Sequence, residues 1–196
     1  DIDAADTNEI IVQKVFRNIM DGLQDTLKLL DYAAIERAAL LIRSSRRIAV
    51  YGFGNSATVC RDIETRFLRF GMVVQAYSDA HQQATSASLL TARDVVIAVS
   101  HTGATLELLD TVRTAREAGA SVIVITSHVH SPLAKLGDIV LHGMGREVHY
   151  SSEAVSSRLI HMAITDALYT VIAMQSPKEY RRNLQKMRAV IAKKRT

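Results

Sequence analysis

Apolar residues recur at helical spacing from 8 to 30: Ile11, Val12, Val15, Phe16, Ile19, Met20, Leu23, Leu27 and Leu30. Asp6 and Glu9 stand in capping-box spacing before this run, with Asp in place of Ser or Thr. Asp31 is placed to cap a second helix running through Ser44. The period then changes. "RRIAVYGFG" is a short β-branched run stopped by glycines, and "MVVQAY", "DVVIAVS", "ASVIVITS" and "GDIVLHG" follow as further strands. Helices are expected between them at 56–70 (closed by Gly71), 80–91 and 104–118 (ended by Gly119). "SPLAKL" forms a short turn with Pro132 at its first helical position. Two long helices, 152–175 and 177–194, close the chain and are broken at Ser176-Pro177.

Almost every position of "DVVIAVS" is apolar, as expected of a strand covered on both faces. Strands alternating with helices give an α/β fold: a three-layer α/β/α sandwich around a five-stranded parallel sheet. Two helices precede the sheet. In such sheets ligands bind beyond the carboxyl ends of the strands. That rule gathers three segments on one rim: 52–56, 100–105 and the approach to the helix near 151.

Composition narrows the class. At 196 residues, 48% apolar and 22% charged, the chain is expected to be one soluble globular domain. No apolar run approaches the roughly 20 residues that span a bilayer. The acidic opening "DIDAADTNEI" has neither a basic nor an apolar leader region, so no signal peptide is expected. A lone cysteine, Cys60, reads as a small buried apolar residue and fits a reducing cytoplasm, the expected location. Because the chain opens at Asp1 rather than Met, it reads as a fragment or a processed product. The net charge of +4 is uneven: from Lys178 onward eight Lys or Arg face one Glu, while the remainder carries −3. That tail is either a solvated helix face or a contact for nucleic acid or an acidic partner.

The chemistry lies in two loops. In "YGFGNSA", Gly54, Asn55 and Ser56 lead into a helix whose free N–H groups stabilise an anion. Alone, this G-x-G-x-x-A pattern with Asp79 beyond the second strand is a dinucleotide fingerprint. The second loop, "SHTGAT", argues against that reading. It brings Ser100, His101, Thr102, Gly103 and Thr105 to the start of another helix. Neutral hydroxyl and amide donors at a helix N-terminus suit a phosphate monoester. The competing reading is that these are ordinary turn and cap residues.

"GFGNSA" after the first strand and "SHTGAT" after the third resemble the sugar isomerase (SIS) domain, whose second motif has the form S-x-[ST]-G-x-T. The leading helix, "SSRLIHMAITDAL" and "KEYRRNLQKMRAVIAKK" are similar to the SIS half of RpiR-type bacterial transcription regulators, in the branch of the hexose-catabolism repressor. The resemblance implies a flavodoxin-like fold over 31–196, with 1–30 as a linking and dimerisation helix. It also implies an N-terminal helix-turn-helix domain ahead of Asp1 that contacts DNA. The apolar stripe of 8–30 has too many large residues to stay exposed, so an assembly that is at least a homodimer is expected. The effector would be a phosphorylated sugar or sugar acid such as 2-keto-3-deoxy-6-phosphogluconate. Ser56 and Ser100 would be its first contacts, with Thr102, Gly103 and Thr105 cradling the phosphate. Gly54, Asn55, His101, Ser152 and Glu153 complete the expected site. No catalytic residue, metal or cofactor is expected.

The alternative is an aldose–ketose phosphate isomerase, with His81, His101 or Glu153 as the base. His128 and His130, with His142 and His149, lack the cysteine or carboxylate partners that would complete a metal site.

Overall fold

The computed structural model describes residues 2–145 and 155–193. Helices α1 (Asn8–Leu29) and α2 (Tyr32–Ser44) precede the first strand, β1 (Arg47–Tyr51). Then come α3 (Asn55–Phe67), β2 (Val74–Tyr77), α4 (Ala80–Ser88), β3 (Asp94–Ser100), α5 (Leu106–Glu117), β4 (Ser121–Thr126) and β5 (Ile139–His142). Helices α6 (Val155–Gln175) and α7 (Pro177–Ala192) end the chain. All strand pairs are parallel, in the order β2-β1-β3-β4-β5. The chain leaves β1 toward one edge and returns at β3 toward the other. The switch point therefore falls between β1 and β3.

Strand parity explains the unbroken apolar runs. Ile48, Val50, Val95, Ile97, Val99, Ile123 and Ile125 face one core with α2, α3 and α6. Ala49, Tyr51, Val96, Ala98, Val122 and Val124 face the other with α4 and α5. The inner strands β1, β3 and β4 are covered on both sides, so their interiors are apolar at both parities, while the edge strand β2 exposes Gln75.

Several boundaries differ from expectation. Thr7, not Asp6, caps α1: its Oγ1 accepts from the Ile10 N–H at 3.4 Å. Asp6 instead pairs with Lys14 at 2.6 Å. Helix α3 stops at Phe67, and a 3₁₀ turn at Leu68–Phe70 carries the chain to Gly71. Helix α4 ends at Ser88 rather than 91, where the Leu89 and Leu90 N–H groups tighten onto Ser86 and Ala87 carbonyls. Helix α5 starts at Leu106 rather than 104, because the 101–105 backbone is shaped by its own loop bonds. Strand β2 begins at Val74, two residues later than "MVVQAY" implies. Residues 152–154 and 194, expected as helix, lie outside the described residues.

Helix α1 lies against α6, and the two run in the same direction. Asn18 meets Ser156 (Nδ2 to Oγ, 3.3 Å) and Gly22 meets Ile160. Gly22 and Thr26 are the buried residues of α1, while Val12, Phe16, Met20 and Leu27 are more than half exposed. No helix among the described residues is long and apolar enough to cross a membrane.

At the opposite end of the sheet from the rim, Asp94 is buried and fully satisfied. It accepts from Arg46 Nη2 (2.7 Å) and Nε (2.9 Å), from the Thr91 N–H (2.8 Å) and from Thr91 Oγ1 (3.0 Å). Burial pushes its carboxyl up, but Arg46 and Thr91 outweigh this and hold it at about 2. Asp94→Ala should cost about 1–3 kcal/mol in urea unfolding at neutral pH, since Arg46 stays half in water once released. A depressed carboxylate stabilises above its unfolded pKa. The cost should therefore shrink as pH falls from about 4 toward 2.

Candidate ligand-binding cleft

The β1/β3 switch point opens into a cleft of about 380 Å³, lined by Phe53, Gly54, Asn55, Ser56, Val99, Ser100, His101, Thr102, Thr105 and Leu108. Seven of the ten residues expected at the site share this one hollow. Gly103 lies buried in the same loop. Ser152 and Glu153 lie outside the described residues.

Parity places Ser100. It continues the side of β3 on which Val96 and Ala98 pack, toward α5, so its hydroxyl meets the turn into α5. There Oγ accepts from the Gly103 N–H at 3.0 Å. Thr102 Oγ1 accepts in the same way from the Ala104 N–H at 3.3 Å. Both hydroxyl oxygens thus accept within the loop, which leaves their protons to be donated to a ligand.

Among the described helix starts, those of α3, α5 and α7 have no side-chain cap bond, and the first two open onto the cleft. Side chains cap α1 (Thr7), α2 (Asp31) and α4 (Asp79, which accepts from the Gln82 N–H at 2.9 Å). The N-caps of α3 (Gly54) and α5 (Thr105) accept nothing through a side chain. Both of these helices begin at the cleft, so their positive dipole ends face it without an internal counter-ligand. Among the described residues no Lys or Arg lines the hollow.

The 100–105 loop is held from behind by the exit of β4. The His101 carbonyl accepts from the Ser127 N–H (3.2 Å) and Thr126 Oγ1 (3.2 Å), and lies 2.9 Å from His128 Nδ1, which therefore carries its ring proton. The Gly103 carbonyl accepts from the Leu133 N–H at 3.0 Å. Gly103 has φ +63°, and a Cβ there would sit 2.1 Å from Ser131 Oγ. Gly54 also has positive φ (+53°), but a Cβ there would meet open space.

Four histidines converge on Ser127. His161, on α6, is buried with Nε2 3.1 Å from Ser127 Oγ, and His142 Nε2 donates to the Ser127 carbonyl at 3.2 Å. The His101 and His128 rings meet edge-on at 5.2 Å. Desolvation, then the nearness of His101, lowers His161 to about 4, against a hydrogen bond with the Gly143 backbone that raises it. Neutral His161 is the form this packing selects. Among the described residues no group of three His, Cys, Asp or Glu is placed to hold a metal ion. Neither Ser127 nor His161 stood out in the sequence. Their signal was only position: a serine at a strand exit and a histidine on an apolar helix face.

His81, one of the three candidate bases of the isomerase alternative, lies elsewhere, in a hollow with Arg47, Tyr77 and Leu89. Burial pushes the Cys60 thiol up, so it is an inert core group. A larger hollow, about 530 Å³, runs along the outer side of α3 past Thr58, Arg61 and Asp62. It lies beside β2, off the β1/β3 switch point, so the smaller cleft is the stronger candidate.

Residues 41–171 match the SIS domain family. The chain belongs to it. The HTH-type transcriptional regulator RpiR of Escherichia coli is 34% identical over 181 residues, which are 92% of this chain and 61% of that protein. An uncharacterized HTH-type transcriptional regulator of Thermotoga maritima is 32% identical across 98% of this SIS chain and 68% of its own length. Among solved structures, Vibrio vulnificus NanR complexed with ManNAc-6P superposes with a TM-score of 0.86 at 28% identity, covering 92% of this chain and 69% of that one. The SIS chain thus spans about three fifths of the E. coli regulator.

Two tests follow from the geometry. Gly103→Ala should destabilise by about 1–3 kcal/mol in urea unfolding and Gly54→Ala by less, because only the first adds a clash to the strain. A histidine held neutral stabilises above its unfolded pKa and loses that contribution as pH falls. Wild type should therefore lose about 2 kcal/mol between pH 7 and 5 that a His161→Asn variant does not.

Proposed function

We propose that this SIS domain is the effector-sensing part of a transcription regulator, and that its effector is a phosphorylated sugar or sugar acid. The observation that carries the reading is the pairing, in one cleft, of two helix starts without side-chain caps and a loop of hydroxyl and amide donors. The phosphate rests on the 100–105 loop and the first turn of α5, where Ser100, Thr102 and Thr105 donate. Gly54, Asn55 and Ser56, across the cleft, meet the sugar hydroxyls. Ser152 and Glu153 are kept as contacts on the strength of the resemblance to the family.

Relatives named as HTH-type regulators support the regulatory role, and NanR bound to ManNAc-6P supports a phosphosugar. Contact with DNA would come from a domain preceding the chain. The half-exposed stripe of Val12, Phe16, Met20 and Leu27 on α1 would pair two protomers. Binding changes DNA affinity only as far as the effector prefers one arrangement of the assembly. The cytoplasm is the compartment that suits all of this.

A thermal-shift panel decides the effector class. N-acetylmannosamine 6-phosphate, 2-keto-3-deoxy-6-phosphogluconate or a related phosphosugar should raise Tm, and the unphosphorylated sugars should not. Ser100→Ala should keep the fold and weaken the active ligand by about tenfold or more in calorimetry. Unchanged affinity would remove the loop from the reading. Conversion of arabinose 5-phosphate to a ketose, lost in His101→Asn, would replace the sensor with an isomerase.

A further inference from the structure

We propose that α6 is the mechanical link between the phosphate loop and α1, with His161 and Ile160 as its two contacts. The inference rests on the effector reading above and adds how occupancy of the cleft would be felt elsewhere.

The route is short and tightly packed. On the cleft side, His161 Nε2 lies 3.1 Å from Ser127 Oγ. The backbone N–H of the same serine donates to the His101 carbonyl, inside the loop that holds the phosphate. A shift of the loop backbone thus reaches His161 through one intervening residue. On the far side, the preceding residue, Ile160, fills a notch in α1: a Cβ on Gly22 would stand 2.6 Å from Ile160 Cδ1. Ile160 and His161 are both almost fully buried, so neither can move without its surroundings moving.

The exit of β5 locks the two helices together at the same level. The Met144 N–H donates to Thr26 Oγ1 of α1 at 3.0 Å. A Cβ at Gly143 would stand 3.0 Å from His161 Cδ2 and from Ile160 Cγ2. The α1 segment facing this junction therefore cannot slide independently of α6. Because the helices run in parallel and α6 starts beside the strand exits, the N-terminal half of α1 lies toward the rim. Whatever chain precedes Asn8 is joined at the end of the molecule where the ligand is held.

Hydrogen exchange on the whole chain tests the link from both ends without any ligand. Ser127→Ala removes the Oγ contact and little volume. It should speed exchange roughly fivefold or more in 99–106 and also in α1, the equivalent of losing about one ordinary hydrogen bond. Gly22→Ala displaces Ile160 and should alter exchange in 99–106 and 126–131, since coupling is reciprocal. Helix α4, on the opposite face of the sheet, should hold its wild-type rate in both variants. The link is overturned if either variant leaves the far segment at its wild-type rate, or if α4 accelerates equally and reveals only a general loss of stability. Inorganic phosphate added to wild type is a separate arm: protection at 99–106 supports the phosphate reading. Absence of protection there would count against that reading while leaving the exchange result on the link standing.

Discussion

The His101 carbonyl is the point on which the cleft depends. A loop rich in hydroxyls would ordinarily fold onto its own donors and present no fixed shape. Here the main chain is pinned from behind by Ser127, Thr126 and His128, and by Leu133 at Gly103. These bonds use acceptors on the buried side of the loop. They leave the start of α5 facing the cleft. The brace and the proposed binding surface are two faces of one short stretch of backbone.

This division accounts for the choice of residues. Gly103 is required twice, by its positive φ and by the closeness of Ser131. Ser100 must be small and polar because strand parity turns it under α5, where it closes the turn by accepting from Gly103. A lysine in the same hollow would bind a phosphate more tightly, but as a point charge it would fix orientation less well than several directed donors. Two helix dipoles and neutral donors would give a moderate, geometry-dependent grip, as the proposed sensing role needs.

Most of the fold was legible from the alternation of apolar runs with helical periods, because a parallel sheet covered on both faces leaves a distinctive unbroken pattern. The two glycine-containing loops were legible as well, and strand order brought them together at the switch point. Helix ends were less so. Capping at Thr7 rather than Asp6 turned on an ion pair with Lys14, eight residues away, that no local rule anticipates. Ser127 and His161 escaped notice because their importance is tertiary: 34 residues apart, they meet only once β4 and α6 are packed. His81, left open as one candidate base among three, falls in a separate hollow, since following a strand does not decide which side of the next helix a side chain takes.

The central claim is that an anion is held by the backbone and hydroxyls of the 100–105 loop. Amide shifts in a proton–nitrogen NMR titration with inorganic phosphate and N-acetylmannosamine 6-phosphate test it most directly. The account predicts that the largest shifts fall on Gly103, Ala104 and the first turn of α5, with smaller ones at Asn55 and Ser56. Shifts concentrated instead along Thr58–Thr65, beside the larger hollow on α3, or absent from 100–108 with both ligands, would contradict it.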